Sequence, residues 1–210
     1  HISHEFKSPL SAILAACELL QDTIHNIKNN NIIIIKESQE LIDLIKNQAE
    51  KLEKWVHELL NLARAEIPHA NPDIHCDFNQ VFTDFSYPNL SLHKQNTTNK
   101  SAIIPISEHI IHNLLHQIAL NAEQHGQAKN LYLAWAIQKD FIFLSISNDG
   151  IPISENTAKR LFTPFFTTAR TEGNTGLGLL TLQALLRAHG GTLVLEKLEN
   201  AQFSIQIPLK

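Results

Sequence analysis

The 210-residue sequence has no methionine and only two cysteines, Cys17 and Cys76. Two cysteines in unlike contexts predict neither a disulfide framework nor a zinc site, and they favour a reducing compartment. Long hydrophobic runs are also missing. The longest, residues 32–35, is far too short to span a bilayer, and no signal-peptide pattern occurs. Because the sequence lacks methionine and begins on a motif, it suggests a piece of a longer protein.

Neither sign of charge dominates the sequence. Its formal net charge is −4, with 18% charged and 43% hydrophobic residues, an ordinary balance for a globular protein with a buried core. There is no basic block of the kind that nucleic-acid-binding proteins carry. We therefore expect a cytoplasmic portion with no nucleic-acid partner and no membrane contact of its own. A full-length protein anchored in the inner membrane is compatible with this expectation.

Up to Glu66, apolar residues alternate at spacings of four and three. This alternation is typical of helices that pack lengthwise, and it predicts two helices joined by a short asparagine-rich turn, an antiparallel hairpin. A single hairpin buries the apolar seams of its two helices poorly. Two hairpins that associate as a dimeric four-helix bundle bury both seams. We favour this homodimer over a monomeric helical subdomain packed on the rest of the chain. The seam residues are Phe6, Leu10, Ile13, Cys17, Leu20, Ile24 and Ile27, then Leu41, Ile45, Gln48, Leu52, Trp55, Leu59 and Leu62.

Pro68 and Pro72 interrupt the helical pattern and predict a linker. Beyond them, strands joined by hairpins beside helices predict an α/β sandwich with helices on one face of a mixed sheet. The expected fold class is therefore α+β, a helical hairpin followed by this sandwich. The predicted elements are a short helix or strand at 77–85, a loop at 88–101, a helix capped by Ser107 and ending near Gln124, strands at 131–137 and 141–147, a helix at 175–188, and a hairpin of 192–198 with 202–207.

The first string that carries chemistry is residues 3–10. His4 lies two positions before the seam residue Phe6, so we expect it to point roughly 160–200° away from the bundle core. An exposed, neutral imidazole is a competent nucleophile, and the neighbouring Glu5 can accept its proton. Pro9 removes a helical hydrogen bond and should bend or loosen the helix. Since the chain has 12 histidines, the whole string and not His4 alone supports a phosphoacceptor.

Three further strings are suited to bind a phosphorylated ligand. In the helix after Ser107, Asn121 offers a side-chain oxygen, a suitable hard ligand for Mg²⁺ beside phosphates. At a strand end, residues 148–150 read Asn-Asp-Gly, which is common in plain hairpin turns as well. Phenylalanines at 162–166 precede a glycine turn at 173–178, and such glycines let backbone N–H groups approach phosphates at a helix start. Each string alone is weak evidence, and the combination carries the hypothesis.

Together the four strings resemble the H-, N-, G- and F-boxes of histidine kinases, in that family's order, from His4 to Leu209. The resemblance implies a dimerisation and histidine-phosphotransfer domain at 1–67, a linker at 68–74, and an ATP-binding domain of the Bergerat fold at 75–210. It implies that His4 attacks the γ-phosphate of ATP, with Glu5 as general base, and passes the phosphoryl group to an Asp of a response-regulator receiver domain. Ser8 would orient water for the reverse phosphatase reaction.

The resemblance also assigns the cofactor contacts in the second domain. Mg²⁺ would bind at Asn121. The residues implied to bind ATP are Gln117, Asn121, His125, Asn148, Asp149, Gly150, Ile153, Phe165, Arg170, Thr175, Gly176, Leu177 and Gly178.

Four positions depart from the family pattern. Asn148 stands where the family has an Asp that accepts the adenine amino proton, and Asn174 replaces the first glycine of the glycine turn. Gln117 stands in place of a usual Asn, and Gln124 in place of a frequent Lys or Arg. The candidates for a compensating cation, between which the sequence does not choose, are Arg170, Lys159 and Arg160.

Two other functions stay open beside the kinase. One is an ATPase of the wider Bergerat superfamily, but those enzymes use a Glu where this chain has Gln117, and they lack an H-box. The other is a phosphatase-biased or non-enzymatic partner of a response regulator with weakened nucleotide binding, which the four departures make plausible.

Overall fold

The computed structural model describes residues 2–25, 32–65, 75–96, 102–168 and 175–209. The side chains of residues 2–6 lie outside the described part, as do the predicted turn at 26–31 and the proline linker. The chain divides into two compact units, His1–Leu60 and Asn61–Lys210.

The first unit contains two long helices, α1 (Ile2–His25) and α2 (Ile32–Ala65), as the apolar seam predicts. Pro9 lies inside α1. The described seam side chains from Ile13 to Leu20 and from Leu41 to Leu59 are half-buried, whereas Leu10 is 48% exposed. Further apolar side chains are exposed beside the seam: Leu14, Leu19, Ile42, Leu44, Val56 and Leu60. The described part of these helices therefore leaves several large apolar side chains exposed.

The second unit is built on a five-stranded mixed sheet with the strand order β2-β4-β5-β7-β6. β2 runs parallel to β4, and the other neighbouring pairs are antiparallel. A separate two-stranded sheet pairs β1 with β3. The elements are β1 (Cys76–Asp77), α3 (Phe78–Asp84), β2 (Ser91–Asn96), β3 (Ile103–Ile104), α4 (Glu108–Gln124), β4 (Asn130–Gln138), β5 (Phe141–Asn148), α5 (Glu155–Ala158), α6 (Gly178–Ala188), β6 (Thr192–Lys197) and β7 (Gln202–Pro208).

One face of the sheet packs against the helices, which confirms the predicted fold class. Along β5, Ile142, Leu144 and Ile146 are fully buried, and the side chains between them are half-exposed. The buried face of α4, which includes Ile111 and Leu115, belongs to the same hydrophobic core. This alternation fixes the direction of each β5 side chain, since successive residues of a strand point to opposite faces. Asn148, the last residue of β5, continues the buried face.

Local signals set the helix starts. Ser107 Oγ accepts the backbone N–H of Ile110 over 3.4 Å and caps α4, as expected from the sequence. Asp77 caps α3 in the same way, since its Oδ1 accepts the N–H of Asn79 over 2.9 Å. Residues 77–85, for which helix and strand were both open, thus contain a helix.

Two expectations were wrong in their details. Residues 88–101 include the strand β2, because a polar edge strand can pair along one side only and needs no apolar pattern. The helix expected from Thr175 begins at Gly178, because Gly176 adopts a left-handed φ of 69°. The described helices include none that is long and apolar enough to cross a membrane.

Candidate functional site

The end of α4 meets the loop after β5 through two glycines. The N–H of Ile151 donates to Gly126 O over 2.7 Å. A Cβ on Gly150 would lie 2.3 Å from Gly126 O and 2.9 Å from Asn148 Oδ1, so no side chain fits there. Gly126, which follows the α4 string, was not assigned a role from the sequence. Its position beyond a helix end was the available signal.

Asn148 lies buried at this junction with 4% of its surface exposed. Its Oδ1 accepts the N–H of Gly150 over 2.9 Å, and its own N–H donates to Asn200 O over 2.9 Å. Both bonds hold the residue between the loop after β5 and the turn that connects β6 to β7. The side chain therefore has a fixed orientation on the helix-facing side of the sheet.

Asp149, the residue after β5, is hydrogen-bonded to the start of β4. Its Oδ2 accepts the side-chain amide of Asn130 over 2.7 Å, and its Oδ1 accepts the backbone N–H groups of Asn130 and Lys129, each over 2.9 Å. The Asn130 amide and these N–H groups lower the pKa of Asp149 to about 2. The exposed carboxylate of Asp149 is thus bonded to residues 129–130, whereas Asn148 lies beside the two glycines.

Gln117 and Asn121 lie one turn apart on α4, where Gln117 Nε2 donates to Asn121 Oδ1 over 3.3 Å. The start of α6 approaches this pair closely. A Cβ on Gly178 would lie 2.7 Å from Gln117 Cδ and 2.9 Å from Gln117 Nε2. The structure therefore brings the α4 string and the glycine turn together, as the resemblance implies.

The phenylalanine string reaches the same place through Gly176. A Cβ on Gly176 would lie 2.6 Å from the carbonyl carbon of Phe165 and 2.7 Å from Phe166 N. Phe165 is buried, and it also has a positive φ of 61°. Thr175 Oγ1 accepts the N–H of Leu177 over 3.3 Å. The main chain at Phe165 and the turn before α6 are consequently in direct contact.

His125, the residue after α4, connects this helix to the segment that follows Phe166. Its Nδ1 lies 2.7 Å from Thr168 Oγ1. Thr168 was not singled out from the sequence, because a polar residue in a loop gives no pattern. Another predicted position, Ile153, makes a separate contact. The N–H of Ile153 donates to Leu198 O over 2.9 Å, and Arg170 lies outside the described residues.

The cations considered as compensating groups are exposed at Lys159 and Arg160. The Arg160 guanidinium lies over the Phe166 ring, 4.3 Å from its centroid. This places one cation beside the phenylalanine string.

In the first unit, His4, Glu5 and Ser8 all belong to α1. Ser8 follows His4 by four residues, so both lie on the same side of the helix, and Ser8 is exposed. The directions of the His4 and Glu5 side chains lie outside the described part of the chain.

Comparisons with known proteins agree with this arrangement. The profile of the histidine kinase-, DNA gyrase B-, and HSP90-like ATPase family matches residues 106–210. The profile of the His Kinase A (phospho-acceptor) domain matches residues 1–67. The chain belongs to the sensor histidine kinases of two-component systems.

The chain is 23% identical over 220 residues to the sensor histidine kinase GlrK of Escherichia coli K12, and the match covers 99% of the chain and 45% of GlrK. The chain thus spans a little under half of such relatives. Among solved structures, it resembles the histidine kinase ThkA in complex with the response regulator TrrA, with a TM-score of 0.62, 20% identity and coverage of 100% of this chain and 60% of that one. It also resembles full-length ShkA in complex with AMPPNP, with a TM-score of 0.60, 21% identity and coverage of 99% and 44%.

Proposed function

We propose that this chain is the catalytic core of a protein histidine kinase, which phosphorylates its own His4 from ATP and transfers the phosphoryl group to an Asp of a response regulator. The observation that carries the proposal is the convergence of the α4 string, the phenylalanine string and the glycine turn at the start of α6. The ShkA structure, which contains AMPPNP, supports a nucleotide as the ligand, and the ThkA–TrrA complex supports a response regulator as the partner.

The start of α6 is suited to bind the phosphates. Leu177 is its N-cap, and no side chain of the described residues caps it. The first N–H groups of a helix have no partner within the helix, and they favour an anion at its positive end. Gly176 and Gly178 keep side chains away from the neighbouring backbone and from Gln117. We assign phosphate binding to residues 175–178.

Asn121 fits a role as ligand of Mg²⁺. Its Oδ1 is a hard oxygen donor, and the described residues contain no group of three or more His, Cys, Asp or Glu that could hold a metal ion without a substrate. An ion bound by one side-chain oxygen would take its other ligands from phosphates and water, as Mg²⁺ commonly does. When bound, Mg²⁺ would supply positive charge against the phosphates. Gln117 would orient Asn121 through their hydrogen bond.

The chemical step belongs to His4 and Glu5. The His4 nitrogen Nε2 forms a bond to the γ-phosphorus, the bond from that phosphorus to the bridging oxygen breaks, and ADP leaves. Glu5 accepts the Nδ1 proton of His4, so that the phosphorylated imidazole carries no additional charge. The receiver Asp then accepts the phosphoryl group from Nε2. We assign to Ser8, which is exposed one turn after His4, the orientation of water in the phosphatase reaction.

The domain division and the homodimer belong to the same proposal. We assign residues 1–67 to dimerisation and phosphotransfer, 68–74 to a linker and 75–210 to nucleotide binding. Leu14 and Leu19 of α1 are 62% and 55% exposed, and Leu60 of α2 is 50% exposed. A second hairpin would cover such apolar side chains, which are costly to leave in water.

Incubation of the chain with γ-³²P-ATP and Mg²⁺ tests the kinase. We expect an acid-labile label on the wild type and none on His4→Gln or Asn121→Ala. His57→Gln, which changes an exposed histidine of α2, is the matched control and should keep the label. An unlabelled wild type that still binds nucleotide would contradict autophosphorylation, and a label that persists on His4→Gln would assign the phosphoryl group to another residue.

A phosphatase-biased partner of the response regulator is the second candidate. Asn148 and Gln124 support it, because neither residue supplies the charge that the family uses at these positions. This function predicts that the chain accelerates loss of phosphate from a phosphorylated receiver domain, and that Ser8→Ala removes the acceleration. A receiver half-life unchanged by the wild-type chain would exclude it.

A further inference from the structure

Three histidines lie on the exposed surface of α4, on another side of the helix from Asn121. His109, His112 and His116 are all exposed, and the proposed phosphotransfer uses none of them. At roughly 100° per residue, His112 lies about 180° around the helix from Asn121, and His116 lies about 140° from it. A ligand bound by these two histidines would therefore not compete with Mg²⁺ and phosphates at Asn121.

His112 and His116 are one helical turn apart, and their rings lie side by side. Among the 12 histidines of the sequence they are the one pair separated by four residues, the spacing that brings two side chains together on a helix. Their ring centroids are 6.5 Å apart, with 20° between the ring planes. Two imidazoles at this spacing on one helix face can bind the same Zn²⁺ ion.

The surroundings of the pair leave its nitrogen atoms available. The Phe85 ring packs against His112 with a centroid distance of 5.8 Å, and the Tyr87 ring packs against His116 at 5.4 Å. These are ring contacts, and among the described residues neither imidazole has a hydrogen bond. His109 differs from the pair, because its Nε2 lies 3.0 Å from the side-chain nitrogen of Asn113.

Binding of an ion requires a small movement of the two rings. With Zn–N distances of about 2.0–2.1 Å and tetrahedral geometry, the two ring centroids would lie about 5 Å apart. The rings must therefore approach each other by about 1.5 Å, which rotation of two exposed side chains permits. The described residues contain no group of three His, Cys, Asp or Glu that could hold a metal ion. Water would accordingly supply the remaining ligands.

We propose that His112 and His116 form a binding site for a divalent transition-metal ion such as Zn²⁺. Imidazole suits Zn²⁺, Cu²⁺ and Ni²⁺, whereas Mg²⁺ prefers oxygen ligands. The bound ion would link two successive turns of α4, and it would stabilise the helix that carries Asn121. The site does not depend on the proposed kinase reaction.

Urea unfolding with and without Zn²⁺, in the absence of nucleotide, tests the site. In a Trp55→Phe background, the fluorescence of Trp135 reports on the second unit. The two imidazoles are held together only while α4 is helical, so Zn²⁺ should favour the folded chain. At ten times the dissociation constant measured by calorimetry, Zn²⁺ should raise the ratio of folded to unfolded chain by up to about elevenfold. His112→Gln and His116→Gln should each remove this rise, and His109→Gln is the matched control that should keep it.

Two further measurements sharpen the test. Mg²⁺ at the same concentration should leave the unfolding curve of the wild type unchanged. In NMR spectra of the chain labelled with ¹⁵N-histidine, Zn²⁺ should shift the ring-nitrogen resonances of His112 and His116 together. An unfolding curve of the wild type that Zn²⁺ does not move, a rise that persists in both His112→Gln and His116→Gln, or a shift of only one of the two rings would overturn the proposal.

Discussion

Replacing Gly178 by Ala should disturb α4 through a single side chain. The added Cβ would lie 2.7 Å from Gln117 Cδ, whereas ordinary contacts begin at 3.4 Å. The Gln117 amide must therefore move by several tenths of an ångström. Its hydrogen bond to Asn121 Oδ1 is already 3.3 Å long, so we expect this movement to break it.

The expected cost follows from three contributions. A lost hydrogen bond costs about 0.5–1.5 kcal/mol, and a displaced rotamer costs about 0.5–1.5 kcal/mol. Ala in place of Gly at a helix start stabilises the folded state by less than about 1 kcal/mol, because Ala has the higher helix propensity. Gly178→Ala should thus lower the free energy of unfolding by about 1 kcal/mol. In a Gln117→Ala background the obstacle is gone, and the same substitution should be neutral or stabilising.

The double-mutant cycle measures this coupling. Urea unfolding of the wild type, both single variants and the double variant, all in a Trp55→Phe background, lets the fluorescence of Trp135 report on the second unit. We expect a coupling free energy of about 1–2 kcal/mol between Gly178 and Gln117. Effects that add to within about 0.5 kcal/mol would refute the close approach of α6 to Gln117.

Three further substitutions test other contacts. Gly176→Ala should abolish nucleotide binding, measured by titration, because its φ is 69° and its Cβ would lie 2.6 Å from the Phe165 carbonyl carbon; unchanged affinity would contradict the turn. Tyr87→Phe should cost about 1–2 kcal/mol in urea unfolding, since it removes the 2.5 Å bond to Glu123 Oε2. Burial and Glu123 raise the pKa of Tyr87 from 10.0 to about 12, so the stabilisation by this hydrogen bond should be complete below pH 10 and disappear as the pH rises through 12. If the loss of stability in Tyr87→Phe does not depend on pH, the hydrogen bond is not its cause. Asp149→Asn should remove a contribution to the free energy of unfolding that is present above pH 3.8 and lost as the pH falls through 2, because the pKa of Asp149 is lowered to about 2. If the urea midpoints of the wild type and the variant run parallel from pH 5 to pH 2, this prediction is wrong.

Elements with a local signal were predictable from the sequence. Ser107 marked the start of α4, and alternating apolar residues marked β4 and β5, because one face of each strand is buried. The edge strand β2 gave no such signal. It is polar, and what defines it is its pairing with β4, from Ser91 opposite Asn130 to Asn96 opposite Trp135. Such a partner lies far away in the sequence, and no local pattern reveals it.

The candidate site shows the same division. The four strings and their order were legible, since each consists of adjacent residues. The sequence did not show that Asn148 and Asp149 make different contacts, because the contact of Asp149 is with Asn130, which lies 19 residues away. Two neighbouring polar side chains of a strand end point to opposite faces. Only the position of the glycines and of β4 shows which of the two lies beside the end of α4.

The two ends of the proposed nucleotide site differ in how much they depend on side chains. At the phosphate end, the donors are backbone N–H groups at the start of α6, and these persist whatever residue stands at position 124. At the base end, the residue that the resemblance implies is Asn148, whose Oδ1 accepts the Gly150 N–H. A substitution at the phosphate end should therefore change affinity for all nucleotides together, whereas a substitution of Asn148 should act through the contact with the base. The departures from the family at Gln124 and Asn148 thus have different consequences, and loss of kinase activity does not follow from either one.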